Sequence, residues 1–137
     1  MRSIAIAFLL VCMVSATFAQ SPESLNEKRG HKKNLTIKEY NTDAKGKSRW
    51  LDHVTVYNAD GYKIEEVEYA TYGIRERVVF SYDDKHFCIK EVVYDDRGKV
   101  TRIRKYEYNS DGTKNTQYNY LPNGRLYSTK VYQYSTN

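Results

Sequence analysis

From Leu35 to its end the chain alternates apolar and polar residues with a period of two, in short windows separated by turn residues. Trp50 to Tyr57 shows the pattern: Val54 and Val56 would take one face of a strand, Thr55 and Tyr57 the other. Equivalent windows run at 35–40, 62–69, 74–82, 87–94, 99–108, 113–120 and 125–134. β-branched and aromatic residues crowd them, the two prolines, Pro22 and Pro122, fall outside them, and no window sustains a helical period. The pattern predicts an all-β domain: an antiparallel meander of about seven to eight strands in a single sheet, twisted or curled on itself. Strand centres such as 101–105 and 114–117 are polar, so the expected core is thin.

A tyrosine followed four residues later by a turn residue recurs six times, at Tyr57/Gly61, Tyr69/Gly73, Tyr82/His86, Tyr94/Gly98, Tyr108/Gly112 and Tyr120/Gly124. The tyrosines are 12, 13, 12, 14 and 12 residues apart, the length of one strand plus one tight turn. Asn58-Ala59-Asp60-Gly61, Asp95-Asp96-Arg97-Gly98 and Asn109-Ser110-Asp111-Gly112 share a chemistry. An Asx side chain at the first position accepts a hydrogen bond from backbone two residues on, and glycine at the fourth takes positive φ. Together they make the type I turn with a G1 bulge that joins neighbouring antiparallel strands. Leu121-Pro122-Asn123-Gly124 keeps the plan with proline pre-setting φ. Two turns depart from it: Asp83-Asp84-Lys85-His86 places histidine where positive φ is costly, and Ala70-Thr71-Tyr72-Gly73 lacks the Asx.

Counting outward from these turns pairs Glu68 with Arg75, Glu66 with Arg77, Glu91 with Arg102 and Glu107 with Lys114, and sets Tyr118 opposite Tyr127. Opposite charges thus meet across three hairpins. An open sheet would also present an edge strand at each end, which invites pairing with another chain.

Residues 1–19 read as a signal peptide: Arg2, an apolar run from Ile4 to Val14, and small residues at Thr17 and Ala19 before Gln20. The run is shorter than the about 20 apolar residues a membrane span needs. The expectation is an exported protein, periplasmic, cell-surface or extracellular, with no transmembrane segment. Residues 20–34 are polar and basic and read as a flexible leader, and 35–137 as one β-repeat domain. Losing Arg2 with the signal lowers the formal charge from +5 to +4, and Lys28, Arg29, Lys32 and Lys33 of the leader carry much of the rest. The high isoelectric point therefore does not imply nucleic acid as a partner. Cys88 stands alone once Cys12 leaves with the signal, so no intramolecular disulfide is expected; it reads as a small core hydrophobe, or else as an intermolecular cross-link.

His31, His53 and His86 have no ligand spacing, and the turn aspartates lack the spacing of a calcium loop, so no metal site is expected. No nucleophile elbow, phosphate loop or dinucleotide fingerprint occurs, and no cofactor or catalytic residue is assigned. The surplus is tyrosine, 14 residues in all. Those in the repeated phrase read as structural. A ligand or partner surface is better sought outside it, at Trp50, Tyr62, Tyr72, Tyr106, Tyr118 and Tyr127.

Tyr94-Asp95-Asp96-Arg97-Gly98-Lys99-Val100 resembles the YD/Rhs-type repeat, and Tyr108 to Gly112 and Tyr120 to Leu126 are looser copies. The chain is also similar to small secreted bacterial proteins with tyrosine-rich β-repeats. The large YD-repeat proteins form shells around toxins or act in adhesion; six units are too few for a shell. The resemblance implies a repeated β-sheet and no active-site residues. The expected function is that of a non-enzymatic protein-interaction or assembly module, using a protein partner or self-association through edge strands. The alternative is a carbohydrate-binding module with an exposed aromatic platform for a glycan.

Overall fold

The computed structural model describes residues 29–136. The predicted signal peptide, most of the leader and Cys12 lie outside the described residues.

Eight strands form one antiparallel sheet in strict chain order: β1 (Thr36–Thr42), β2 (Arg49–Tyr57), β3 (Lys63–Ala70), β4 (Gly73–Tyr82), β5 (Cys88–Tyr94), β6 (Val100–Tyr108), β7 (Lys114–Tyr120) and β8 (Leu126–Val131). The expected meander is present, strand for strand. Among the described residues the sheet is open, since β1 and β8 pair only with β2 and β7.

The turns follow the local chemistry. Asn58 Oδ1 accepts the N–H groups of Asp60 and Tyr62, at 3.0 and 2.9 Å. Asp83 serves Lys85 and Phe87 in the same way, and Asp95 serves Arg97 and Lys99. In the Asn109 turn the role passes to Asp111, whose Oδ1 accepts the N–H of Thr113. His86 does adopt positive φ, +66°, in the position glycine fills elsewhere.

Beyond each turn the register differs from the count made above. At every hairpin one residue of the incoming strand has no partner. Tyr57 pairs with Lys63 but Val56 with Glu65, so Ile64 is skipped. Arg75, Ile89, Thr101, Asn115 and Tyr127 are skipped likewise. The bulge thus sits one step inside the strand as well as at the turn, and it moves all later partners. Glu91 therefore faces Arg104 rather than Arg102, and Glu107 faces Thr116 rather than Lys114. Arg77 faces Val67, not Glu66, and its ion pair is with Glu65. Tyr118 faces Thr129, and Tyr127 has no partner on β7. The Glu68–Arg75 ion pair does form, with Arg75 in the bulge and Glu68 directly opposite Glu76.

Alternation divides the sheet into two faces. On the front, Val54 meets Val67, and Glu65, Val79, Val92, Ile103 and Tyr120 form a row of register partners. On the back, Thr55, Glu66, Val78, Val93 and Arg102 form another. The buried apolar residues are Val54, Val67, Val93 and Tyr106, divided between the two faces, so neither face holds a deep core.

Long side chains cover what aliphatic packing does not. Among the described residues eight aromatic rings lie within reach of a cation, including Tyr94 under Arg77 at 5.2 Å and Tyr106 under Lys114 at 4.2 Å. Such pairs ordinarily occur about once in 70–80 residues, so this sheet relies on them heavily. The methylene stems of these lysines and arginines add apolar cover over the strands.

Candidate functional site

The meander sends alternate turns to opposite ends of the sheet, and the two ends use tyrosine differently. At the end that carries the turns after Tyr57, Tyr82 and Tyr108, hydroxyl groups form a ladder. Tyr82 donates to the carbonyl of Lys63, Tyr108 to that of Cys88 and Tyr134 to that of Lys114, at 2.7, 2.7 and 2.8 Å. Each accepting carbonyl belongs to the residue just before a skipped one, where the bulge interrupts the backbone ladder. At the other end, Tyr94 and Tyr120 lie under Arg77 and Lys105 instead.

The ladder end is an aromatic cluster. Tyr62 stacks on His86 with ring centroids 4.7 Å apart and planes 6° from parallel, and it contacts Tyr82 at 5.2 Å. Phe87 stacks on Tyr108 at 4.8 Å. Burial pushes the hydroxyls of Tyr82 and Tyr108 up to about 12, helped by the nearby Cys88 and Glu91. Burial also raises Cys88, whose half-buried thiol points to the carbonyl of Lys90 at 3.7 Å and has no cysteine partner among the described residues. The described end of the leader packs here as well: Asn34 N–H donates to Asn58 O, and Arg29 lies over Tyr62.

The back face carries two ionic clusters. Glu66 accepts from Lys63 at 2.7 Å and meets His53 Nε2 at 2.8 Å. Burial opposes ionisation of Glu66, but the Lys63 and His53 contacts outweigh it and hold the carboxyl below its usual range. Arg104 donates to Glu91 at 2.9 Å beside the buried Tyr106, whose hydroxyl is raised by burial and by its hydrogen bond to Glu91. Each polar group here is satisfied by a neighbour, and no buried side-chain nitrogen or oxygen among the described residues lacks a partner. Among the described residues no group of three or more histidine, cysteine or acidic side chains is placed to hold a metal.

The six residues singled out from sequence do not form one site; only Tyr106 and Tyr118 line a common cleft. Trp50, Tyr72 and Tyr127 are exposed, at 46%, 69% and 74%, and lie toward the same end of the sheet. β2 and β8 are six strands apart, about 29 Å at about 4.8 Å per strand, so Trp50 and Tyr127 share no platform. Tyr62 belongs to the aromatic cluster, and Tyr106 is buried at 7% exposure, so its ring is no exposed surface. Tyr118 and one side of Tyr106 line an open cleft of ≈ 440 Å³ together with Ile89, Lys90, Lys105, Glu107 and Tyr120, and Tyr62 lines a shallower one with Arg29 and His86. The Tyr118 hydroxyl donates to Glu107 at 3.0 Å. Another open cleft, ≈ 490 Å³, lies beside Phe87 and Tyr108 at the ladder end.

No family model matches the chain, and no curated protein matches it. Among solved structures, a mutant of S. aureus TarM crystallised with Fondaparinux, alpha-GlcNAc-glycerol and UDP is similar at 17% identity and a TM-score of 0.30. The match covers 81% of this chain and 22% of that one. A likeness of that size carries no argument about function. Among the described residues no helix is long and apolar enough to cross a membrane.

The residues that the sequence pattern missed lie on the last strand and beyond it. All six residues of β8 are exposed, Leu126 and Val131 at 48% and 63%. Tyr134, past the strand, adds the third rung of the ladder, and its distance of 26 residues from Tyr108 was the signal for it.

Proposed function

We propose that the chain is a non-enzymatic interaction module that acts through its open β8 edge, with a second copy of the chain as the occupant. The observation that carries this is the edge itself. β8 pairs only with β7 among the described residues, exposes every side chain, and reads Leu-Tyr-Ser-Thr-Lys-Val with a single charge. β1, at the other edge, carries both Lys38 and Glu39.

The backbone supports the same choice. Tyr132 N–H donates inward to Asn115 O, so by alternation Ser128 and Lys130 also bond inward, while Thr129 and Val131 present N–H and C=O groups outward. Two β8 strands paired antiparallel about Thr129 would set Tyr127 opposite Val131 twice and Ser128 opposite Lys130. Aromatic and β-branched partners favour such pairing, and no like charges meet. A two-fold axis closes the contact, since each copy offers the same patch.

Sedimentation velocity over a concentration series tests this. The wild type should pass from monomer to dimer, and Thr129→Pro should remain monomeric, because proline removes an outward N–H without breaking a bond to β7. Thr129→Lys should also dissociate the pair by placing two cations at its centre. A wild type that is monomeric throughout, or a Thr129→Pro variant that dimerises equally, overturns the reading. The carbohydrate alternative built on Trp50, Tyr72 and Tyr127 draws no support from their separation.

A further inference from the structure

Ser81, Lys90, Lys105 and Tyr118 stand in one straight row across β4 to β7, each the register partner of the next. The row is about 14 Å long at about 4.8 Å per strand. All four side chains offer hydrogen-bond donors, and none is a carboxylate.

Lys90 and Lys105 are directly opposite one another, an arrangement of like charges that destabilises a sheet. The other directly opposed like charges, Glu68 and Glu76, have Arg75 bonded to Glu68. The lysine pair has no such relief. Lys105 Nζ lies over the Tyr120 ring at 5.3 Å, and Lys90 makes no ion pair among the described residues. Glu107, the acid in the same cleft, is bonded to the hydroxyl of Tyr118. Several other cations of the sheet are paired with acids, as in Arg77–Glu65, Arg104–Glu91 and Lys63–Glu66. Here two opposed lysines line an open cleft together with Tyr118 and Tyr120.

We infer that this cleft binds an anionic polysaccharide, with a carboxylate or sulfate bridging Lys90 and Lys105 and the sugar rings lying against Tyr118 and Tyr120. An anion between the two ammonium groups converts a repulsive contact into two charge-assisted hydrogen bonds. Tyrosine supplies the flat, amphipathic surface that sugar rings need. Duplex nucleic acid fits less well, because tight binding to it draws on about 6–10 phosphate contacts and this cleft offers two lysines. The inference uses the sheet face and does not depend on β8.

Titration calorimetry with dextran sulfate, polygalacturonate and neutral dextran, using the full chain, tests it. At least one of the two charged polymers should bind and neutral dextran should not. Replacing both lysines, Lys90→Gln with Lys105→Gln, should weaken binding by about tenfold or more. Lys38→Gln, on the same face but at β1, should change it less than about twofold. The double variant should unfold in urea at the same or a higher concentration than the wild type, which separates lost binding from lost folding. Unchanged affinity in the double variant, equal binding of neutral dextran, or no binding of either charged polymer overturns the inference. So does tighter binding of a DNA duplex or of phosphatidylglycerol vesicles through the same two lysines.

Discussion

Tyr82, Tyr108 and Tyr134 donate their hydroxyls to carbonyls beside the bulges, whereas Tyr94 and Tyr120 use their rings beneath a cation. The same residue at the same place in the phrase therefore does two different jobs. Tyr108→Phe removes the hydrogen bond to the Cys88 carbonyl and should cost about 1–2 kcal/mol; Tyr94→Phe keeps its ring contact and should stay within about 0.5 kcal/mol of the wild type. Urea-unfolding midpoints of the two variants test this, and equal effects would show that the ladder adds nothing. His86 holds a left-handed backbone conformation while its ring stacks on Tyr62. His86→Ala loses the stack and keeps the strain, and His86→Gly loses the stack but releases the strain. The glycine variant should be the more stable by about 1 kcal/mol. An alanine variant as stable as the glycine one would mean that the backbone at this position is unstrained.

At the scale of the element, each hairpin carries a bulge inside the incoming strand, and all but the one after Tyr69 use an Asx side chain in the turn. The turns were legible because their hydrogen bonds close within four residues, as at Asn58, Asp83 and Asp95. The skipped residues were not, because Thr101 or Asn115 looks like any other strand position until the partner strand is placed against it. Gly61 and Gly98 show how a tertiary contact separates equivalent turns. Both have positive φ, +82° and +75°, but a Cβ on Gly61 would meet the Arg29 carbonyl, while nothing lies within 4 Å of one on Gly98. Gly61→Ala should therefore cost about 1–3 kcal/mol more than Gly98→Ala in thermal or urea unfolding. Equal costs would mean that residues 29–34 are not held against this turn.

The described residues form a single layer with a small core on each face, so the stability of the sheet depends on tyrosines that stay neutral and half-buried. The hydroxyls of Tyr82 and Tyr108 sit at about 12 in the folded sheet, against about 10 in the unfolded chain. The unfolded state then loses these protons first. Their contribution is complete below pH 10 and falls as the pH rises from 10 towards 12. The melting temperature should drop across that interval, while absorbance at 295 nm shows a subset of tyrosines ionising late. Tyrosines that all titrate together near pH 10 would count against it.

The sequence by itself determined the class of fold, the number and order of strands, and the position and chemistry of nearly every turn, because each of these rests on alternation and on contacts within a few residues. It also marked tyrosine as the unusual resource. Only the tertiary structure decided which residues face one another, since each bulge moves the register by a step that no local signal records. That step set Lys90 against Lys105, moved Glu91 from Arg102 to Arg104, and left β8 open along its outer side. The proposed sites rest on these relations between strands, and a relation between strands is a property of the folded sheet.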